Sequence, residues 1–159
     1  MKTLIVYDSI FGNTEQIALA IGNALGSKGN VETLRVSDVK PKHLNGLELL
    51  IVGSPTRAFR PTKAITDFLN KIPANGLKGT RVAAFDTRVS TVDVNSRFLN
   101  MMVRLFGYAA KPIADKLEKR GGSLIIPPEG FFVKGSEGPL KDGELERAAN
   151  WARLAMKAQ

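Results

Sequence analysis

Short runs rich in Val, Ile and Leu alternate along this chain with segments whose apolar residues recur at helical spacing. The runs cover residues 2–7, 31–36, 48–53, 80–85 and 123–126. Such runs suit strands buried on both faces, as in a parallel sheet. Between them, Ile17, Ala20, Ile21, Ala24 and Leu25 share a helical face that exits through Gly26 and Gly29. Ile65, Phe68 and Leu69 do the same between Pro61 and Pro73. Leu145, Ala148, Ala149, Ala152, Ala155 and Met156 form the last such face, behind Asp142-Gly143. Strand–helix alternation through 159 residues argues one doubly wound α/β domain spanning the whole chain.

The stretch after the fourth run is longer than such a domain needs. Phe98, Met101, Met102 and Leu105 share one helical face, and Ala109, Ala110, Ile113 and Leu117 share another. One unbroken helix would place Pro112 in its interior at a cost of ~3 kcal/mol. A break at Gly107 leaves Pro112 in the first turn of a second helix, and residues 95–106 become an extra element. Its position predicts packing beside the ligand loops or use as a partner surface.

Composition narrows the chemistry. With no Cys, the chain has no disulfide, thiolate metal site or thiol nucleophile. Residues 4–6 are too short an apolar run for a signal peptide, and nothing approaches the ~20 apolar residues of a membrane span. A cytoplasmic location is the expectation. The formal net charge is +8, and all of it lies between Pro55 and Arg120, where thirteen bases face five acids. No Lys/Arg run or aromatic-interleaved basic motif accompanies it, so a nucleic-acid partner is not expected. His43 is the only His and has no metal or triad spacing, and Trp151 flanks the last apolar face as part of the core.

In open α/β sheets, ligands bind beyond the carboxyl ends of the strands. After the first run comes Asp8-Ser9-Ile10-Phe11-Gly12-Asn13-Thr14-Glu15, leading straight into a helix. Ser9, Asn13 and Thr14 with a permissive Gly12 can wrap backbone N–H groups round an anion at that helix N-terminus. No Lys is present, so this is not a Walker loop, and neutral donors point to a phosphate monoester. The same residues could instead cap the helix.

Ser9-x-x-Gly12-Asn13-Thr14-Glu15 resembles the phosphate loop of the flavodoxin family, and the likeness continues in order along nearly the whole chain. Gly53-Ser54-Pro55-Thr56 is similar to the loop beside the isoalloxazine, and Phe85-Asp86-Thr87-Arg88 to the third ligand loop. Residues 127–140, with Glu144 to Ala148 after them, look like the family's ending. The resemblance implies a five-stranded parallel sheet of order 2-1-3-4-5 with helices on both faces. It implies FMN as cofactor, held by Ser9, Phe11, Gly12, Asn13 and Thr14, by Pro55, Thr56, Arg57, Ala58 and Phe59, and by Asp86, Thr87 and Arg88. It also implies an electron carrier between redox partner proteins. The basic balance predicts that those partners have acidic surfaces, and the carrier is expected as a monomer or weak dimer.

Departures from the family pattern sharpen this. Arg57-Ala58 stands where an aromatic residue followed by Gly is common, and Phe59 is the candidate stacking ring. Asp86-Thr87-Arg88 offers no Tyr, and Phe11 removes one hydroxyl from the phosphate loop, so weaker FMN binding is expected. Arg57, Arg60 and Arg88 near the ring would favour a reduced anionic flavin and raise the second reduction potential. Ala58 would resist positive φ, reinforcing that effect. A small NAD(P)H or quinone oxidoreductase is the alternative, as is a flavodoxin-shaped module without flavin. A receiver domain is excluded, because Gly53-Ser54-Pro55 ends the third run where an Asp is required.

Overall fold

The computed structural model describes residues 1–26, 30–90 and 96–158, with the backbone alone at positions 99, 105 and 106. Four of the apolar runs form β1 (Lys2–Tyr7), β2 (Asn30–Arg35), β3 (Leu49–Pro55) and β4 (Arg81–Val89). Helix α1 (Asn13–Gly26) follows β1, and α2 (Lys63–Lys71) joins β3 to β4. Two 3-10 turns, Val36–Asp38 and Pro41–Leu44, connect β2 to β3. The His43 Nδ1 accepts from the Lys40 N–H at 2.8 Å in the second of them, a local structural role. Then come α3 (Arg97–Phe106), α4 (Ala110–Lys119), β5 (Ser123–Leu124), β6 (Glu129–Val133) and α5 (Glu144–Lys157).

All strand pairs are parallel, in the order β2-β1-β3-β4-β5, with β6 also on β4. The expected order is therefore present, but its fifth strand is in two pieces. β5 pairs with Arg81 and Val82, and β6 pairs with Phe85 to Val89. The run expected over 123–126 leaves the ladder after Leu124 because Pro127 and Pro128 have no N–H to donate. The Ile125 N–H still reaches the Val82 carbonyl at 3.1 Å, and the chain rejoins the sheet at Glu129.

Period-two alternation sorts the strand residues onto two faces. Leu4, Val6, Leu50, Val52, Val82 and Ala84 pack under α2 and α4 with Ile65, Leu69, Ile113 and Leu117. Ile5, Leu49, Ile51, Ala83 and Phe85 pack under α1 and α5 with Ile17, Ile21, Ala148 and Ala152. Trp151 is 5% exposed and sits edge-on to Phe85 and Phe131, with centroids 6.2 and 6.1 Å away.

Gly107, at φ 72°, separates α3 from α4, and Pro112 lies in the first turn of α4 as expected. Helix α3 leaves Phe98 67% and Met101 48% exposed while Met102 and Val103 turn towards the loop after β3. Asn95 and the side chains of Leu105 and Phe106, which belong to the expected extra element, lie outside the described residues.

Glu144 fastens α5 to β6. Its carboxylate accepts from the Phe132 N–H at 2.7 Å and from Arg147 at 2.7 and 2.9 Å. Burial opposes its ionisation, but those hydrogen bonds and the Arg147 charge outweigh it and hold the carboxyl below the usual glutamate range. A carboxyl lowered on folding stabilises the fold above its unfolded pKa, and that contribution is lost as pH falls through the folded value. Glu144→Gln should therefore cost about 1–2 kcal/mol near neutrality. The gap to wild type should close as the pH falls below about 4, which urea unfolding at pH 7 and pH 3 measures.

Candidate functional site

The carboxyl ends of β1, β3 and β4 open onto a shallow cleft of about 130 Å3. The loop from β1 to α1 forms one wall. Gly12, at φ 91°, turns the chain into the helix, and its Cβ-free side has nothing within 4 Å. The Ser9 Oγ accepts from the Gly12 N–H at 3.1 Å and the Glu15 N–H at 3.3 Å. Among the described residues, the N–H groups of Ile10, Phe11, Asn13 and Thr14 find no acceptor. Unpartnered amides at a helix N-terminus are what an anion needs. No cation lies in the loop itself, so the donor set suits a phosphate monoester.

The loop is tied to the sheet by polar contacts. The Thr14 and Thr87 hydroxyls are 2.8 Å apart, and the Asn13 Nδ2 donates to the Glu137 carbonyl at 3.1 Å. On the far side Arg35 reaches Asp8, Ser9 and Glu15 from β2. Burial, and after it the Glu15 carboxylate, pushes the Tyr7 phenol up.

The third segment differs from its expected form. Asp86, Thr87 and Arg88 belong to β4 itself, because pairing with β3 continues to Thr87 and pairing with β6 continues to Val89. Alternation along the strand then separates them. Thr87 faces α1, while Asp86 and Arg88 face α4. Asp86 is fully buried, accepting from Arg88 twice at 2.7 Å and from the Ala110 N–H at 2.8 Å. Burial pushes its carboxyl up, and Arg88 and the Ala110 N–H pull against that. The Arg88 guanidinium lies 3.7 Å from the Tyr108 ring centroid and directly over Gly130, where a Cβ would stand 2.1 Å from it.

The segment after β3 closes the cleft. The Thr56 N–H donates to the Thr87 carbonyl at 2.9 Å, and its Oγ1 accepts from the Ala109 N–H at 3.2 Å. Arg57 and Arg60 exchange backbone hydrogen bonds of 2.8 and 3.0 Å round a two-residue turn. The type I′ form of such a hairpin has positive φ at both central residues. Ala58 accordingly has φ 47° and Phe59 φ 67°, so the Cβ of Ala58 does not exclude that conformation. The Arg57 guanidinium sits 5.8 Å from the Phe11 ring.

Residues 5–151 match the family model for flavodoxin. The chain belongs to the flavodoxin family. It is 31% identical over 129 residues to a flavodoxin of Maridesulfovibrio salexigens, covering 78% of this chain and 81% of that one. It resembles the structure of a flavodoxin from the domain Archaea, with 26% identity, 99% of both chains covered and a TM-score of 0.78. Oxidised flavodoxin 1 from Bacillus cereus has the same TM-score at 18% identity, with 100% of this chain and 99% of that one covered, a likeness of fold. Flavodoxins are FMN-containing electron carriers, and electron transport is the function of this member.

Of the residues singled out from sequence, Ser9, Phe11, Asn13 and Thr14 line the cleft with Pro55, Thr56, Arg57, Thr87 and Arg88. Gly12 shapes the wall without lining it. Ala58 and Phe59 line an adjoining hollow, and Asp86 lies behind Arg88, out of the cleft. Sequence reading missed Ile10, Val89, Val133 and Ser136 in the lining, and Tyr108 in the hollow. Tyr108 follows an extra helix, so neither loop position nor spacing signals it. Gly130→Ala should expel Arg88 from Asp86 and cost about 3 kcal/mol, as for one broken buried pair. Urea unfolding measures this, and a cost under about 0.5 kcal/mol, the level of an ordinary surface change, would show that Arg88 moves aside freely.

Proposed function

We propose that this flavodoxin binds FMN with its phosphate at residues 9–14 and carries electrons between partner proteins in the cytoplasm. The unpartnered N–H groups of Ile10, Phe11, Asn13 and Thr14 at the start of α1 carry the reading. Gly12 and the Ser9 and Thr14 hydroxyls complete that seat. Pro55, Thr56, Arg57, Ala58 and Phe59 would flank the ring system, with Thr87 and Arg88 between ring and phosphate. Asp86 acts at one remove, by holding Arg88. Bound FMN supplies one- and two-electron redox chemistry, and the protein supplies binding, orientation and charge. The cytoplasmic setting is consistent with a Cys-free chain that needs no oxidising compartment.

Titration of apoprotein with FMN, followed by quenching of flavin fluorescence, tests the seat. Thr14→Val should weaken binding about five-fold, the equivalent of one hydrogen bond at ~1 kcal/mol. Thermal unfolding of the same variant records the separate effect of leaving the Thr87 hydroxyl without its partner. Unchanged FMN affinity would remove the phosphate from this loop.

The charge balance supports acidic partners. Beside the 56–60 loop, Phe59, Pro61, Met102 and Pro112 line an apolar groove bordered by Arg60, Lys63 and Lys116. Complementary charge accelerates encounter and does so less as salt rises. Electron transfer to an acidic acceptor protein should therefore slow as ionic strength rises. Among the described residues neither Arg57 nor Arg60 is in an ion pair, whereas Arg88 is matched to Asp86. Arg57→Gln should accordingly lower the second reduction potential by tens of millivolts, on the order of ~1 kcal/mol for an exposed charge. Redox titration of the FMN-loaded variant reads this directly, and an unchanged potential would place the Arg57 charge away from the ring.

A further inference from the structure

We infer that Arg35, which lies outside the cleft, is the positioning residue that shapes the 9–14 loop for a phosphate monoester and offsets one of the two carboxylate charges flanking it. The inference rests on the reading of that loop as the phosphate seat. Arg35 is the last residue of β2 and stands opposite Tyr7 in the register, so the sheet delivers it to the point where β1 becomes the loop. Its Nη1 donates to the Ser9 carbonyl at 2.9 Å and lies 3.5 Å from the Asp8 Oδ1. Its Nη2 donates to the Glu15 Oε2 at 2.9 Å, and the guanidinium lies 5.4 Å from the Tyr7 ring centroid. One planar fork therefore grips the start of the loop and the first turn of α1.

Two consequences follow from elementary geometry and charge. A peptide is planar and trans, so its C=O and the next N–H point in opposite directions. Holding the Ser9 carbonyl outward on Arg35 aims the Ile10 N–H the other way, into the loop. The charge argument is independent. Asp8 and Glu15 flank a loop offered to a dianion, and no cation stands within that loop. Asp8 is already engaged with the Ser9 N–H at 2.9 Å, so it is fixed in place. Arg35 neutralises one of the two carboxylate charges and hydrogen-bonds or pairs with both. Without it, two half-buried negative charges would face the phosphate.

The test compares FMN with riboflavin, which has the same ring but no phosphate. Full-length wild type, Arg35→Gln, Arg35→Lys and the double variant Arg35→Gln/Glu15→Gln are titrated with each by flavin fluorescence quenching. Wild type should prefer FMN. Arg35→Gln should weaken FMN binding about ten- to a hundred-fold, as for loss of a charged hydrogen-bonding group. It should leave riboflavin binding within about two-fold of wild type, a change worth less than half a kcal/mol. Arg35→Lys keeps the charge without the fork and should fall between, and it answers the question if the Gln variant does not fold. Removing the Glu15 charge should restore part of the FMN affinity, which a merely structural defect would not allow. A preference for FMN that persists undiminished in both single variants overturns the role of Arg35 alone, as does equal loss of FMN and riboflavin. A wild type without any preference for FMN overturns the phosphate reading, and this inference with it.

Discussion

Strand β4 is paired with β3 as far as Thr87, and with β6 from Phe85 to its end at Val89. Those hydrogen bonds fix its pleat beyond the core and decide what the site can be made of. Thr87 must face α1, where its hydroxyl meets Thr14 at 2.8 Å. Asp86 and Arg88 must face α4, where they form a buried pair over Gly130 and under Tyr108. A one-residue shift of that ladder would exchange the two faces, putting a carboxylate beside the phosphate loop. The register of β4 against β6 is therefore a condition of keeping that carboxylate away from the loop between β1 and α1 as well as of folding.

The buried pair also limits what the basic character of the chain can do at the ring. A guanidinium matched to a carboxylate by two 2.7 Å hydrogen bonds has little field left to offer at a distance. Arg88 thus contributes a flat, oriented surface more than a positive charge. Its stacking on Tyr108 brings an aromatic ring beside the hollow formed by Thr56, Ala58 and Phe59. That ring comes from the far side of the extra helix, so α3 is built into the neighbourhood of the site. Met102 and Val103 hold it there, while Phe98 and Met101 remain open to solvent.

What could be read from the sequence was whatever depends on neighbours in the chain. Helical spacing in α1, α2 and α5, the break at Gly107 and the run of β1 are all local properties, and each lies where its pattern predicts. The turn from β1 into α1 was legible for the same reason, since Ser9, Gly12, Asn13 and Thr14 act within one turn of each other. β6 was not, because Pro127-Pro128 interrupts the fifth strand and Glu129-Gly130 reads as loop chemistry. Asp86 was misplaced because nothing local distinguishes a strand that continues past Phe85 from one that ends there. Only its partners on either side extend it. Ala58 at positive φ belongs to the same class, since backbone hydrogen bonds between Arg57 and Arg60 impose a conformation its side chain disfavours. Arg35 reaches Ser9 across 26 positions, and Asn13 reaches Glu137 across 124, distances at which no spacing rule operates.

These long-range contacts divide the site electrostatically. At the phosphate end, neutral N–H and hydroxyl donors are surrounded by Asp8, Glu15 and the one arginine that ties them together. At the ring end, the described residues leave Arg57 and Arg60 without ion pairs, next to a groove bordered by Lys63 and Lys116. Lys63 is itself paired with Asp67 at 2.6 Å, so among the described residues the groove's charges without an ion pair are those of Arg60 and Lys116. A ligand that is anionic at one end and redox-active at the other meets two different fields. The first sets how tightly it is held, through directional bonds that salt screens little. The second lies on an exposed rim, where charge governs which surfaces approach and how the ring responds to an added electron. On the proposed reading, affinity and partner choice fall on separate residues, so a change at Arg35 and a change at Arg57 should act on different observables even though both remove one positive charge from the same site.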